Sequence, residues 1–92
     1  MSHLIQDKSK LLARVRRLKG QIEAVERQIE AEAPCGEVLN LVASIRGAVG
    51  GLTAELIEEH LRHHVCDPAH EPDPARAQGA ADLIQVMRSY LK

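Results

Sequence analysis

EVLNLVASIRGAVGGLTAELIEEHLRHH, residues 37 to 64, places apolar residues at steps of 4, 3, 4, 3 and 4, at Val38, Val42, Ile45, Val49, Leu52 and Leu56. These steps form the heptad seam of a helix that packs along its length against partner helices. Two histidines, His60 and His64, follow on the same side of that helix, one turn apart. The stretch therefore predicts a long helix whose apolar face ends in two candidate metal ligands.

A cysteine, Cys35, stands just before this helix. The preceding Pro34 is suited to a first helical turn, so Cys35 is expected near the helix N-terminus, where the helix dipole favours thiolate over thiol. Roughly 28 residues at 1.5 Å each span about 40 Å. Cys35 therefore cannot meet the two histidines of its own chain while the helix is straight. An antiparallel partner helix would bring the three side chains together.

Another heptad helix is predicted over about residues 5–32, with its seam at Leu11, Val15, Leu18, Ile22, Val25 and Ile29. Two successive heptad helices predict an antiparallel hairpin, and two such hairpins would close a four-helix bundle as a dimer. Asp73 and Pro74 suit the N-cap and first turn of a third helix. The expected fold is an all-α, three-helix protomer over residues 1–92 as a single domain, with helices at about 5–32, 36–64 and 74–91.

The composition supports a small helical protein. The 92 residues are 45% hydrophobic, which excludes a disordered tail, and Tyr90 is the only aromatic residue. A core of Leu, Ile, Val and Ala suits close-packed helices. A chain of this size is expected to oligomerise. It has no apolar run near the roughly 18 residues of a membrane span, so we expect a cytoplasmic protein with reduced thiols at Cys35 and Cys66.

Positive charge is concentrated near the start of the first helix. Six of the twelve Lys and Arg residues lie between positions 8 and 19 with no acid among them: Lys8, Lys10, Arg14, Arg16, Arg17 and Lys19. Lys10, Arg14 and Arg17 share one side of the helix, and we call these three the basic stripe. The pattern favours contact with DNA phosphates, the alternative being an ordinary solvated face. Without a helix-turn-helix pattern, binding would use backbone contacts and DNA shape.

The histidines leave several interpretations open. Three interpretations apply to His60, His63 and His64: metal ligands, a DNA-facing patch or solvated surface. The spacing of four residues between His60 and His64 favours metal binding. Cys66 is a spare candidate ligand. If Met1 is removed, His3 becomes the second residue, and its imidazole, the free amine and an amide nitrogen can chelate one ion; the alternative is a solvated His. Catalysis is not expected, because no nucleophile with an adjacent base can be assembled.

Several blocks at consistent spacing carry a family resemblance: RVRRLKGQ at 14–21, Cys35, ASIRGAVGGL at 43–52, Glu55, His60 and the closing YLK. Over nearly its full length the chain resembles the CsoR/RcnR/FrmR transcriptional repressors. The resemblance implies three-helix protomers that form dimers and usually dimers of dimers, here a homotetramer. It also implies that the apo protein binds double-stranded operator DNA, with Lys10, Arg14, Arg16, Arg17 and Lys19 as the candidate contacts, and that an effector bound across the dimer interface releases it.

The branches of this family differ in their ligands. The nickel/cobalt branch, RcnR-like and DmeR-like, uses an N-terminal His, a Cys and two His four apart, which map onto His3, Cys35, His60 and His64. Copper sensors have Cys where this chain has His64. The leading hypothesis is a cytoplasmic repressor of a metal-efflux gene that responds to Ni²⁺ or Co²⁺, with Zn²⁺ as a further candidate.

Two alternatives accompany that hypothesis. Formaldehyde sensors of the family use the same Cys with an N-terminal Pro, and this chain has Ser2, but a formaldehyde-responsive repressor using Cys35 and the N-terminal amine is the second hypothesis. The third is a metal-binding helical protein that never touches DNA. The chain also departs from the family at Gly50, where Asn is usual.

Overall fold

The computed structural model describes residues 8–91, which form three helices in the order α1 (Lys8–Glu30), α2 (Cys35–His64) and α3 (Pro74–Leu91). Helices α1 and α3 both pack against α2, and within the described range they do not pack against each other. Helix α1 runs antiparallel to α2, because Arg14 contacts Glu55 and the later Gln21 contacts the earlier Ser44. Helix α3 is also antiparallel to α2, because Arg88 contacts Glu58 and the later Leu91 lies against the earlier Gly50. The predicted all-α fold with three helices and an antiparallel hairpin is confirmed.

The helix boundaries differ from the predicted ones by one or two residues. Helix α2 begins at Cys35 and α3 spans the predicted 74–91, whereas α1 ends at Glu30 and not at position 32. Glu32 adopts a left-handed conformation with φ of 55°. The Ala33 N–H donates to the Gln28 carbonyl at 2.9 Å, which closes α1 in a Schellman arrangement. Predicted helical residues 5–7 lie outside the described range.

The start of α3 follows the sequence prediction. The Asp73 carboxylate accepts a hydrogen bond from the Ala75 N–H at 3.1 Å. Pro74 is the first helical residue, where its missing N–H leaves no unpaired donor. The N-cap function of Asp73 is therefore confirmed.

Each heptad seam is only half covered within the protomer. On α1, Leu11 and Leu18 are buried, whereas the alternating seam residues Val15, Ile22 and Ile29 remain 44%, 58% and 61% exposed. On α2, Val42 and Val49 are exposed, while the other seam residues are partly covered: Val38, Ile45, Leu52 and Leu56. The two positions of a heptad seam face different neighbours in a bundle. The hairpin thus buries part of the α1 seam, covers part of the α2 seam, and leaves the alternating residues of both exposed.

The shape of the chain agrees with this partial burial. Its Cα atoms extend over 57 × 29 × 13 Å, a flat plate with helices in a single layer. The accessible surface is 6775 Å², whereas a compact protein of this size exposes about 5,300 Å². The protomer therefore exposes more surface than a compact domain of the same length.

Two of the three clustered glycines in α2 have a local explanation. A Cβ atom on Gly50 would collide with the carbonyl oxygen of Leu91, so α3 ends in close backbone contact with α2 at this position. A Cβ atom on Gly51 would lie 3.1 Å from Arg14 Nη1. Gly47 has nothing within 4 Å of such an atom. Close approach of α3 therefore explains Gly50, and space for an arginine side chain explains Gly51.

We expect Gly50→Ala to destabilise the protein, because overpacking against backbone that cannot move freely costs about 1–3 kcal/mol. For a domain of this length the melting temperature should fall by about 5 °C or more. Gly47→Ala is the matched control, since the same substitution in open space gains about 1 kcal/mol of helix propensity. Thermal unfolding by circular dichroism measures both, and equal melting temperatures for the two variants would contradict the close contact.

Candidate functional site

The side chains of His60 and His64 lie side by side at the C-terminal end of α2. Their ring centroids are 4.7 Å apart and the rings are inclined by 30°. Both residues are exposed, so a ligand can reach them from solvent. The predicted shared face is confirmed, and two imidazoles at this spacing can bind one metal ion.

Cys35 lies at the opposite end of the same helix. It is the first residue of α2, and it is exposed with a free thiol. Its 29-residue distance from His64 corresponds to about 43 Å along the helix axis. Within residues 8–91, no group of three or more His, Cys, Asp or Glu side chains is arranged to hold a metal ion. A single protomer therefore separates the thiol from the two imidazoles, and His3 lies outside the described range.

Two further histidines, His63 and His70, and the second cysteine, Cys66, contact nearby carboxylates. His63 Nε2 lies 3.5 Å from Glu59 Oε2, and the Cys66 thiol donates to Glu71 Oε1 at 3.5 Å. His70 Nδ1 lies 2.7 Å from Asp67 Oδ2. This hydrogen bond, together with one from the Ala69 N–H, holds the pKa of the Asp67 carboxyl below its usual value. These contacts fix the connection between α2 and α3. His64 lines the same surface groove as His63, Cys66 and His70.

The basic stripe is partly neutralised by an acid on α2. Glu55 Oε1 lies 2.9 Å from Lys10 Nζ and 3.4 Å from Arg14 Nη2. Arg17 is exposed, as are Arg16 and Lys19, and these three have no ion-pair partner in the described part of the chain. Residues 8–19 themselves contain no acid, but Glu55 of α2 pairs with Lys10 and Arg14. Only part of the positive surface of α1 is therefore unpaired.

A groove of about 410 Å³ runs over the glycines of α2 between α1 and α3. Arg14 and Glu55 line one side of it, and Glu58 and Arg88 line the other. Glu58 Oε1 accepts from Arg88 Nη2 at 2.6 Å and from Nε at 2.8 Å, and its other oxygen accepts from Arg62 at 3.1 Å. No local sequence pattern indicates the pairing of Glu58 with Arg88, because the two residues are 30 positions apart.

None of the described helices combines the length and the apolar character that crossing a membrane requires.

Comparison with known proteins identifies similar chains along the whole sequence. Residues 7–89 match the family model described as metal-sensitive transcriptional repressor. A Serratia marcescens protein from the 5′ region of bioA is 48% identical over 92 residues, and the transcriptional repressor RcnR of Salmonella typhimurium strain LT2 is 42% identical over 93 residues. Both alignments cover all of this chain and all of the relative.

A solved structure has the same fold. It is a glutamate-to-histidine variant of the formaldehyde-responsive regulator FrmR from Salmonella enterica serovar Typhimurium. It is 39% identical and superimposes with a TM-score of 0.66, covering 97% of this chain and 99% of that one. The three-helix arrangement described above is therefore shared with a regulator of known structure.

Proposed function

Because the chain belongs to the family of metal-sensitive transcriptional repressors, which are DNA-binding regulators and not enzymes, we propose that it represses a metal-efflux gene and responds to Ni²⁺ or Co²⁺. The apo protein binds double-stranded operator DNA, and the metal-bound protein releases it. The observation that carries this proposal is the pair of exposed imidazoles of His60 and His64, 4.7 Å apart. We place the protein in the cytoplasm, acting as one domain over its 92 residues.

The donor set fits these metals. One thiolate from Cys35 and imidazoles from His60 and His64 leave a fourth position open and suit tetrahedral Zn²⁺ or Co²⁺. His3, the terminal amine and a backbone nitrogen raise the count to five or six mostly nitrogen donors, which suits six-coordinate Ni²⁺ or Co²⁺. The number of ligands therefore sets the selectivity among metal ions. Zn²⁺ is the candidate if only Cys35, His60 and His64 bind the ion.

The separation of Cys35 from the histidines supports a site shared between protomers. In a four-helix bundle made of two antiparallel hairpins, the N-terminal end of one α2 lies near the C-terminal end of the other. The uncovered half-seams supply the apolar surface for that dimer. The excess accessible surface of about 1,500 Å² exceeds the roughly 800 Å² per partner of a standard interface. The exposed Leu83, Val86 and Tyr90 on α3 suit further assembly into a homotetramer.

DNA binding is assigned to the positive surface of α1. Arg16, Arg17 and Lys19 are exposed and unpaired among the described residues, and Lys10 and Arg14 extend the surface toward the start of the helix. Contacts of this kind bind phosphates and depend strongly on salt. Recognition of the operator then depends on phosphate positions and DNA shape.

The exposed thiol of Cys35 and the fold shared with the FrmR variant favour one other function, a repressor that responds to formaldehyde. In that case formaldehyde would condense with the N-terminal amine and the Cys35 thiol. The product is a methylene bridge between nitrogen and sulfur, and the formaldehyde oxygen leaves as water. If Met1 is removed, Ser2 supplies a primary amine. It does not supply the proline nitrogen that the formaldehyde sensors of the family have. The metal function is preferred because formaldehyde chemistry gives no part to the paired imidazoles of His60 and His64.

We expect Ni²⁺ and Co²⁺ to displace the protein from a labelled duplex carrying the DNA upstream of its own gene, and formaldehyde to have no such effect. Fluorescence anisotropy measures the release. The absorption spectrum of the Co²⁺ complex then gives the coordination number, because six-coordinate ions have much weaker d–d bands than four-coordinate ions. Release by formaldehyde together with a methylene bridge at Cys35 in the mass spectrum would establish the second function instead.

A further inference from the structure

Glu55 pairs with two of the cations that are assigned to DNA. Its Oε1 atom is 2.9 Å from Lys10 Nζ and 3.4 Å from Arg14 Nη2. Both contacts cross from α2 to α1, and the second joins residues 41 positions apart. The Glu55 side chain is 27% exposed, so the ion pairs lie at the edge of the groove, within reach of solvent and of a bound polyanion.

The structure around Arg14 directs its guanidinium toward this carboxylate. Gly51 lies one turn before Glu55 on α2, and a Cβ atom there would lie 3.1 Å from Arg14 Nη1. The small residue makes room for the arginine side chain over α2, and Glu55 accepts its hydrogen bond. Arg14 is therefore held on the protein by both shape and charge, whereas Arg17 projects from the same side of α1 without a partner among residues 8–91.

A phosphate that binds Lys10 or Arg14 must come close to the Glu55 carboxylate. Two like charges about 4 Å apart in water repel each other enough to weaken binding about fivefold. We propose that Glu55 competes with DNA phosphate for Lys10 and Arg14, so that the protomer neutralises part of its own DNA-binding surface. This inference rests on the proposed function, since it requires that the basic stripe binds DNA.

Such competition has a regulatory use. An effector typically changes affinity for a second ligand by about 5- to 150-fold, so a repressor that bound DNA too tightly would not be released. Glu55 lowers the affinity of the apo protein into the range that an effector can reverse. It also lies five residues before His60 on the same helix, about 8 Å along the axis. A displacement of this end of α2 against α1 therefore changes the distances from Glu55 to Lys10 and Arg14.

The test compares Glu55→Gln with Glu58→Gln in the metal-free, full-length protein. Both variants remove one negative charge and keep the size of the side chain, but Glu58 pairs with Arg62 and Arg88, outside the stripe. Binding to a labelled duplex carrying the DNA upstream of the gene is measured by anisotropy across a range of salt concentrations. Glu55→Gln should bind about fivefold more tightly than Glu58→Gln at about 0.1 M salt. The slope of log K against log salt should steepen by about one to two units.

Arg17→Ala, measured beside these variants, separates the inference from the function on which it rests. If Arg17→Ala weakens binding while Glu55→Gln binds no more tightly than Glu58→Gln, the stripe contacts DNA and the competition is refuted. If Arg17→Ala binds as the wild type does, the stripe is not the DNA surface, and both proposals fail. Tighter binding and a steeper slope for Glu55→Gln alone support the competition. Thermal unfolding of each variant confirms that the comparison is made on folded protein.

Discussion

Cys35→Ala should abolish the release of DNA by Ni²⁺ and Co²⁺ and should lower metal affinity by at least about 100-fold. Loss of a partner in the outer shell of a metal site already costs about 10- to 100-fold in affinity, and Cys35 is proposed as a direct ligand and the only thiolate of the set. Cys35 is the first residue of α2, and its free thiol is exposed, so a metal ion can reach it from solvent. The same variant should be insensitive to formaldehyde, because the alternative mechanism uses the same thiol.

Cys66→Ala is the matched control for this experiment. It removes the other free thiol, which donates to Glu71 and lies in the connection between α2 and α3. We expect it to keep both metal affinity and DNA release. Isothermal titration with Ni²⁺ and anisotropy on the labelled duplex measure the two properties. A Cys35→Ala protein that leaves DNA normally when Ni²⁺ is added would refute the proposed mechanism.

A mixed dimer should recover a metal site that neither parent homodimer has. One chain carries Cys35→Ala, and the other carries His60→Ala together with His64→Leu. In an antiparallel dimer, the intact Cys35 of the second chain faces the intact histidines of the first, so one of the two sites is restored. The physical reason is the length of α2, which places Cys35 and His64 of one chain about 43 Å apart.

The measurement is equilibrium dialysis of heterodimers purified through two different affinity tags. The expected result is one tightly bound metal ion per heterodimer and none for either homodimer. A heterodimer that contains only the double histidine variant and wild-type chain is the control and should also bind one ion. A mixed dimer of the two variant chains that binds no metal tightly would refute the shared site.

Local sequence patterns were sufficient to predict the three helices and several of their ends. Heptad steps identified α1 and α2, and Asp73 with Pro74 located the start of α3. The end of α1 was predicted two residues too late, because a glutamate, Glu32, adopts the left-handed conformation that usually indicates Gly or Asn. The i, i+4 spacing also predicted that His60 and His64 lie side by side, since helix geometry alone fixes that relation.

The partners of the charged residues depended on contacts between helices. Residues 8–19 contain no acid, and no local pattern indicates that Glu55 pairs with both Lys10 and Arg14. Likewise, three glycines within five positions of a helix are compatible with either close helix approach or flexibility. Only the position of Leu91 shows that Gly50 accommodates the end of α3. Contacts over 30 or 41 positions depend on how helices cross, which local periodicity does not encode.

The sequence by itself determined the helical fold and the identity of the candidate ligands, because helix periodicity and side-chain chemistry are local properties. It also determined that Cys35 and the His60 and His64 pair cannot meet within one straight helix, since that follows from the rise per residue. Only the tertiary structure decided which half of each heptad seam the protomer covers and which half it leaves exposed. It also decided which cations of α1 are neutralised by α2, because that depends on the packing of two helices whose contacting residues lie far apart in the chain.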